Sequence, residues 1–237
     1  MLLEIGTSAA FMDSQLPGAI FASMTRPQSH REEIANAVTH GIGVILSIGG
    51  GAVLITLTCV FSGAREIISV TVFSLALVFL YTASTLYHAA RHPELKSRLK
   101  VLDHCAIFLM IAATYTPFTI AAMGGGWGWA LFGTIWGLAM FGMVFKIFFT
   151  GRFKALSTMT YIGMGWLVVI AFAPLSQALT PAALALLVIG GLFFTIGALF
   201  YHFERIPFSH TIWHLFVLAG SISHFAAVTA QVMGGAS

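Results

Sequence analysis

His210 and His214 stand four residues apart, the spacing at which two imidazoles on one helix can face a single metal ion. His88 is a third candidate ligand, and Ser84, four residues before it, shares its helix face. Asp103 follows shortly after, beyond a basic stretch. Three histidines and one water make a common catalytic zinc arrangement with an open position. A carboxylate beside that position can hold and deprotonate the water, which is the role Asp103 suits. Ser84 can hydrogen-bond a substrate oxygen or orient a ligand from behind.

Each residue also has a plain structural reading. A lone pair of histidines at this spacing can hydrogen-bond across helices. Asp103 alone can be a carboxylate favoured by the dipole at a helix start. Ser84 alone can be a packing residue. What joins them is placement: all four candidate metal-site residues, His88, Asp103, His210 and His214, fall at the ends of apolar runs that share one side of a membrane. Independent roles would not require a common depth. The other ionisable residues within or beside the runs are His40, His104, His202, Glu204 and His224. His40 is expected behind the ligands or paired with Glu32 or Glu33. His224 lies about 15 Å deeper than His214 by helix rise, too far to bind the same ion. An interhelical hydrogen bond is its expected role.

The elements that position these residues follow from composition. Of 237 residues, 58% are apolar and 8% charged, with a mean hydropathy of +0.93. A soluble domain carries about 25% charged residues, so lipid must cover most of this surface. A net charge of +3 spread over so few charges does not point to nucleic acid. About 20 apolar residues span a bilayer, and seven runs qualify: 38–61, 67–90, 101–123, 127–149, 157–175, 182–201 and 208–232. The fifth is the shortest and is expected to end near Pro174. The expected fold is therefore an all-α bundle of seven transmembrane helices, residues 29–237, after an N-terminal tail, 1–28, with little structure; Met24 is an alternative start.

Ten of the eleven Lys and Arg residues, all but Arg65, fall on one side of this arrangement. The positive-inside rule makes that side cytoplasmic, with the N-terminus inside and the C-terminus outside. Ser29 and Glu32 read as a capping box, so a short cytoplasmic helix is expected before the first span. Gly133, Gly137 and Gly163 are expected at close helix contacts. Gly124-Gly125-Gly126 predicts a tight turn between the third and fourth spans, and Trp127 and Trp129 suit the outer aromatic belt. Cys59 and Cys105 fall near opposite faces, so they are expected unpaired and buried.

Ser84-x3-His88, Asp103 and His210-x3-His214 together resemble the signature of the hemolysin III family, the bacterial branch of the progestin and adipoQ receptor (PAQR) family. That family is grouped with alkaline ceramidases in the CREST superfamily of membrane hydrolases. Glu32 to Asn36, Thr39 to Gly43 and Leu102 to His104 resemble it too, so the likeness runs from about Arg31 to the C-terminus. It implies seven spans, zinc on His88, His210 and His214, Asp103 at the zinc-bound water and Ser84 nearby. It also implies residence in the bacterial inner membrane. The first functional expectation is a zinc-dependent hydrolase of a lipid amide or ester, with a membrane lipid as substrate. The others are a membrane-homeostasis sensor with structural zinc, and a cytolysin, as the family name implies. Resident apolar spans argue against a secreted toxin, and a single polar cluster near one face argues against ion transport.

Overall fold

The computed structural model describes residues 28–203 and 205–234, and the expected tail lies outside them, save Gln28. Among the described residues the chain is helical throughout, and seven helical segments are long and apolar enough to cross a membrane. They are α1 (His30–Phe61), α2 (Ala64–Ala89), α3 (Pro93–Thr116) with a π-helical end (Pro117–Met123), and α4 (Gly125–Phe149). The fifth span is compound: α5 (Lys154–Trp166), a 3-10 turn (Leu167–Ala171) and α6 (Phe172–Ala178). Then come α7 (Pro181–His202) and α8 (Ser209–Gly234).

Consecutive helices pack side by side from α1 to α4, α7 packs on α8, and α8 returns to α1. The second and third spans are the most buried and form the centre of the bundle. Large side chains such as Ile45, Phe141 and Phe148 cover the outside, where acyl chains replace water as the surrounding medium.

Several boundaries differ from those expected. The lead-in helix is continuous with the first span. Its capping box forms as expected: Glu32 N–H donates to Ser29 Oγ and Ser29 N–H to Glu32 Oε2, at 3.3 and 2.8 Å. Pro93 starts α3 at its first position, so Lys96, Arg98 and Lys100 are helical rather than part of a loop. Asp103 therefore stands in the third turn of α3, beyond the reach of a helix-start dipole. The fifth span runs through Pro174. Proline removes one N–H and crowds the carbonyl four residues back, and the 3-10 turn just before it takes up the distortion. Tyr115 on α3 covers the exposed backbone there. Its hydroxyl donates to the Met164 and Gly165 carbonyls and accepts from Val168 N–H, at 2.8, 2.9 and 3.0 Å.

Gly124 and Gly125 make the expected tight turn with φ of 57° and 55°, where an L side chain would be strained. Gly133, Gly137 and Gly163 face outward, and a methyl group added to any of them would meet nothing within 4 Å, so they are not packing contacts. The close approach lies elsewhere: a Cβ on Gly43 would meet the Tyr81 ring at 2.5 Å. Trp127 and Trp129 are exposed, as a belt position requires. Both cysteines are unpaired, as expected, but neither is buried: Cys59 is exposed and Cys105 half-buried.

Candidate metal centre

His88 leaves α2 in its last turn, and His210 and His214 occupy the first two turns of α8. The start of α8 is set by Phe208, whose backbone is left-handed at φ 59°, and whose N–H donates to buried Glu32 Oε1 at 2.8 Å. That contact ties the height of His210 to the first turn of α1.

The three imidazoles converge. One ligating nitrogen from each lies within 4.8 Å of the others, a grouping that can hold a metal ion. Ring centroids are 4.6 Å apart for His210 and His214, 4.9 Å for His88 and His214, and 5.1 Å for His88 and His210. His88 and His214 are buried.

The surrounding groups fix which nitrogens point inward. His88 Nδ1 lies 2.8 Å from Glu33 Oε2. An ionised carboxylate only accepts, so Nδ1 carries the proton and Nε2 the lone pair. His214 Nδ1 donates to the Asn36 carbonyl at 3.3 Å, with the same result. Backing of a histidine by a carboxylate or a carbonyl is the usual outer layer of a metal site. His88 Nε2 is buried and has no protein partner. An apolar pocket would leave that lone pair unsatisfied at a cost, whereas a metal ion held by the trio would satisfy it.

Glu33 is itself held, by Lys96 Nζ at 3.0 Å from Oε1. Asn36 braces α8 by accepting from Thr211 Oγ1 at 2.6 Å and reaches back to Gln28 Oε1 at 2.9 Å. Glu33 and Asn36 are the residues that sequence reading did not assign to the site. Their signal is spacing: Glu33, Asn36 and His40 recur at three and four residues and so share one face of α1.

Asp103 and Ser84 border the trio without joining it. Ser84 lies one turn before His88 on α2, and Asp103 stands on the neighbouring α3, with its carboxylate 3.9 Å from His104 Nδ1. The Asp103 side chain is largely buried, with 15% of its surface exposed. His40 does not pair with Glu32 or Glu33. Its ring stacks on His214 at 3.6 Å and 7°. His104 Nδ1 donates to the Lys100 carbonyl at 2.7 Å, and His224 hydrogen-bonds the Leu187 carbonyl of α7 at 3.2 Å, the interhelical role expected of it.

A family model described as Haemolysin-III related matches residues 28–225. Hemolysin-3 of Bacillus cereus is 46% identical over 215 residues, covering 90% of this chain and 98% of that protein. The Hemolysin-3 homolog of Bacillus subtilis (strain 168) is 46% identical over 198 residues, covering 84% and 93%. The Monocyte to macrophage differentiation factor of Homo sapiens is 27% identical over 205 residues, covering 83% of each. No solved structure matches the chain.

Proposed function

This chain belongs to the haemolysin-III-related family of multi-pass membrane proteins, and from that premise we propose a zinc-dependent hydrolase of a lipid amide or ester, working at the cytoplasmic face of the bacterial inner membrane. The observation that carries the reading is the pair of backed histidines, His88 on Glu33 and His214 on Asn36, turned toward one point beside Asp103. Three imidazoles favour zinc among the available divalent ions. Zinc on three histidines supplies a Lewis acid and a water acidified to near neutral pH.

The chain's own residues do the rest. Asp103 takes the proton from the attacking water as general base and passes it to the leaving amine or alcohol. Ser84 donates a hydrogen bond to the substrate carbonyl oxygen as negative charge develops there. Glu33 and Asn36 keep the imidazoles in one tautomer and one orientation. The apolar walls of the bundle accept the acyl chain, while the edge at Asp103 faces the cytosol and releases the polar product.

A second reading is a membrane sensor in which zinc is structural. It is favoured by the way Glu32, Glu33 and Asn36 fasten α1 to α2 and α8 around the trio. One experiment separates the two. Purified wild-type and Asp103→Asn protein are incubated with membrane lipids, with lipids read by mass spectrometry and metal content measured alongside. The hydrolase reading expects Asp103→Asn to keep the metal and lose turnover. Absence of zinc-dependent turnover in the wild type overturns it. Retention of zinc by all three of His88→Ala, His210→Ala and His214→Ala would overturn the metal site itself.

A further inference from the structure

The end of the bundle away from the three histidines carries a cavity of about 540 Å³. It lies where the α1–α2 connection, the π-helical end of α3 and the last turns of α8 come together. The sequence explains the space. Pro117 has no N–H to donate within the helix, and from it onward the chain winds in the wider π form. Ala121 and Ala122 of that π segment line the cavity with side chains too small to fill it, and Gly63 of the α1–α2 connection has none.

Two kinds of side chain surround this space. Phe61, Val70, Pro117 and Val232 join the two alanines as an apolar wall, and Ser62, Glu66 and Gln231 supply polar groups. Gln231 is committed to the fold. Its Oε1 accepts from Thr180 N–H at 2.9 Å, and its Nε2 donates to the Ala178 carbonyl at 3.3 Å. Glu66 is committed on one side only. Its Oε2 accepts from Gly63 N–H at 3.1 Å, and among the described residues no Lys, Arg or His pairs with the carboxylate.

Charge is scarce at this end. Arg65 and Glu66 are the only Lys, Arg, Asp or Glu that the described residues place there, and all the others lie at the end that holds the trio. Residues one apart on a helix do not face each other. Arg65 is accordingly exposed, while Glu66 is half-buried in the cavity wall. A carboxylate therefore lines a partly apolar cavity, with a guanidinium outside it one residue away.

That arrangement limits the occupant. The volume falls in the range of sites for small organic molecules, about 300–1,000 Å³. A bare calcium ion takes about six to eight oxygen ligands, and one carboxylate with one hydroxyl falls short of that. A simple anion would be repelled by Glu66. An ammonium suits the carboxylate, and a phosphate suits Arg65. A phospholipid headgroup of the ethanolamine type carries both, joined by an ethylene unit, and headgroups lie at this level, where the spans end. We propose that the cavity binds the headgroup of a zwitterionic ethanolamine phospholipid, with its ammonium on Glu66 and its phosphate at Arg65. The apolar wall then meets the glycerol and the first acyl carbons. This site is separate from the histidine trio and needs neither a metal nor turnover.

The test is native mass spectrometry of the full chain in detergent, titrated with phosphatidylethanolamine or phosphatidylglycerol of the same acyl chains. The two lipids share the phosphate, and only the first carries an ammonium. Wild type is expected to bind one phosphatidylethanolamine about five- to tenfold more tightly than phosphatidylglycerol; equal affinity overturns the proposal, and this comparison needs no variant. Glu66→Gln keeps an oxygen for Gly63 N–H and loses the charge. It should bind the two lipids alike, and a retained preference overturns the assignment. Ala122→Phe fills the cavity and leaves both charges in place. It should lose the tightly bound lipid, and undiminished binding overturns the cavity as the site. Free ethanolamine separates a lipid from a soluble amine. It should raise the wild-type Tm less than phosphatidylethanolamine does at equal concentration, and an equal rise overturns the lipid.

Discussion

Glu33 offers the sharpest quantitative test of the metal centre. It holds His88 by an N–H to carboxylate bond of 2.8 Å at a site where the His88 side chain is 1% exposed. Glu33→Ala leaves Nδ1–H a buried donor without an acceptor, at a cost of about 1–3 kcal/mol, and lets the ring turn away from the trio. Loss of such a backing group lowers metal affinity about 10–100-fold, which is about 1.4–2.8 kcal/mol. Glu33→Gln keeps an oxygen acceptor and loses the charge, so its affinity should fall between that of wild type and Glu33→Ala. Lys96→Met removes the partly exposed cation that holds Glu33, together with its weaker contacts to the Tyr87 carbonyl and ring. Such pairs contribute about 0.2–1 kcal/mol, so its effect should stay under about fivefold. Competition with a fluorescent zinc chelator, on purified protein in nanodiscs, ranks the three. Wild-type affinity in a folded Glu33→Ala protein would refute the reasoning. So would a larger loss from Lys96→Met than from Glu33→Ala.

Other outcomes follow from packing and linkage. Gly43→Ala should destabilise by about 1–3 kcal/mol, because its methyl meets the Tyr81 ring; a lowered Tm in detergent checks it. Gly133→Ala should leave Tm unchanged or raise it, since nothing stands within 4 Å, whereas Gly142→Ala should lower it by running into Phe108. His224→Ala removes a hydrogen bond to Leu187 and should lower Tm at unchanged metal content. Chelation of a zinc present at a hundred times its Kd should cost the wild type about 2.7 kcal/mol, and the same treatment should leave the Tm of His210→Ala unmoved.

Sequence and structure agree most closely where a single strong physical term decides. Seven long apolar runs have no alternative in a charge-poor chain, and His88, His210 and His214 meet because alternate spans return to the same membrane face. The discrepancies share another cause, competition between local signals and neighbours. Lys96, Arg98 and Lys100 look like a loop by charge, yet they are good helix formers behind a proline that suits a helix start. Pro174 looks like a terminus, but the 3-10 turn Leu167–Ala171 takes up its crowding of the Ile170 carbonyl and the span continues past it. Gly133 and Gly163 have the composition of a helix contact, and only the arrangement of neighbours leaves them facing lipid. Glu33 and Asn36 were hidden for a further reason. At the mouth of a first span, a carboxylate and an amide look like ordinary solvated capping residues.

The trio also imposes an order on biogenesis. His88 belongs to the second span to be made, while His210 and His214 arrive with the last. Glu33 and Asn36 are synthesised before any ligand and wait for their partners. During insertion Glu33 finds His88 and Lys96 early, whereas the groups that Asn36 bonds on the last helix, Thr211 and His214, have not yet emerged from the ribosome. Metal can be locked in only after the seventh span has crossed the bilayer and closed against the first. A metal held by these three histidines would thus mark completed insertion, since a chain stalled before its final helix lacks two of the three ligands.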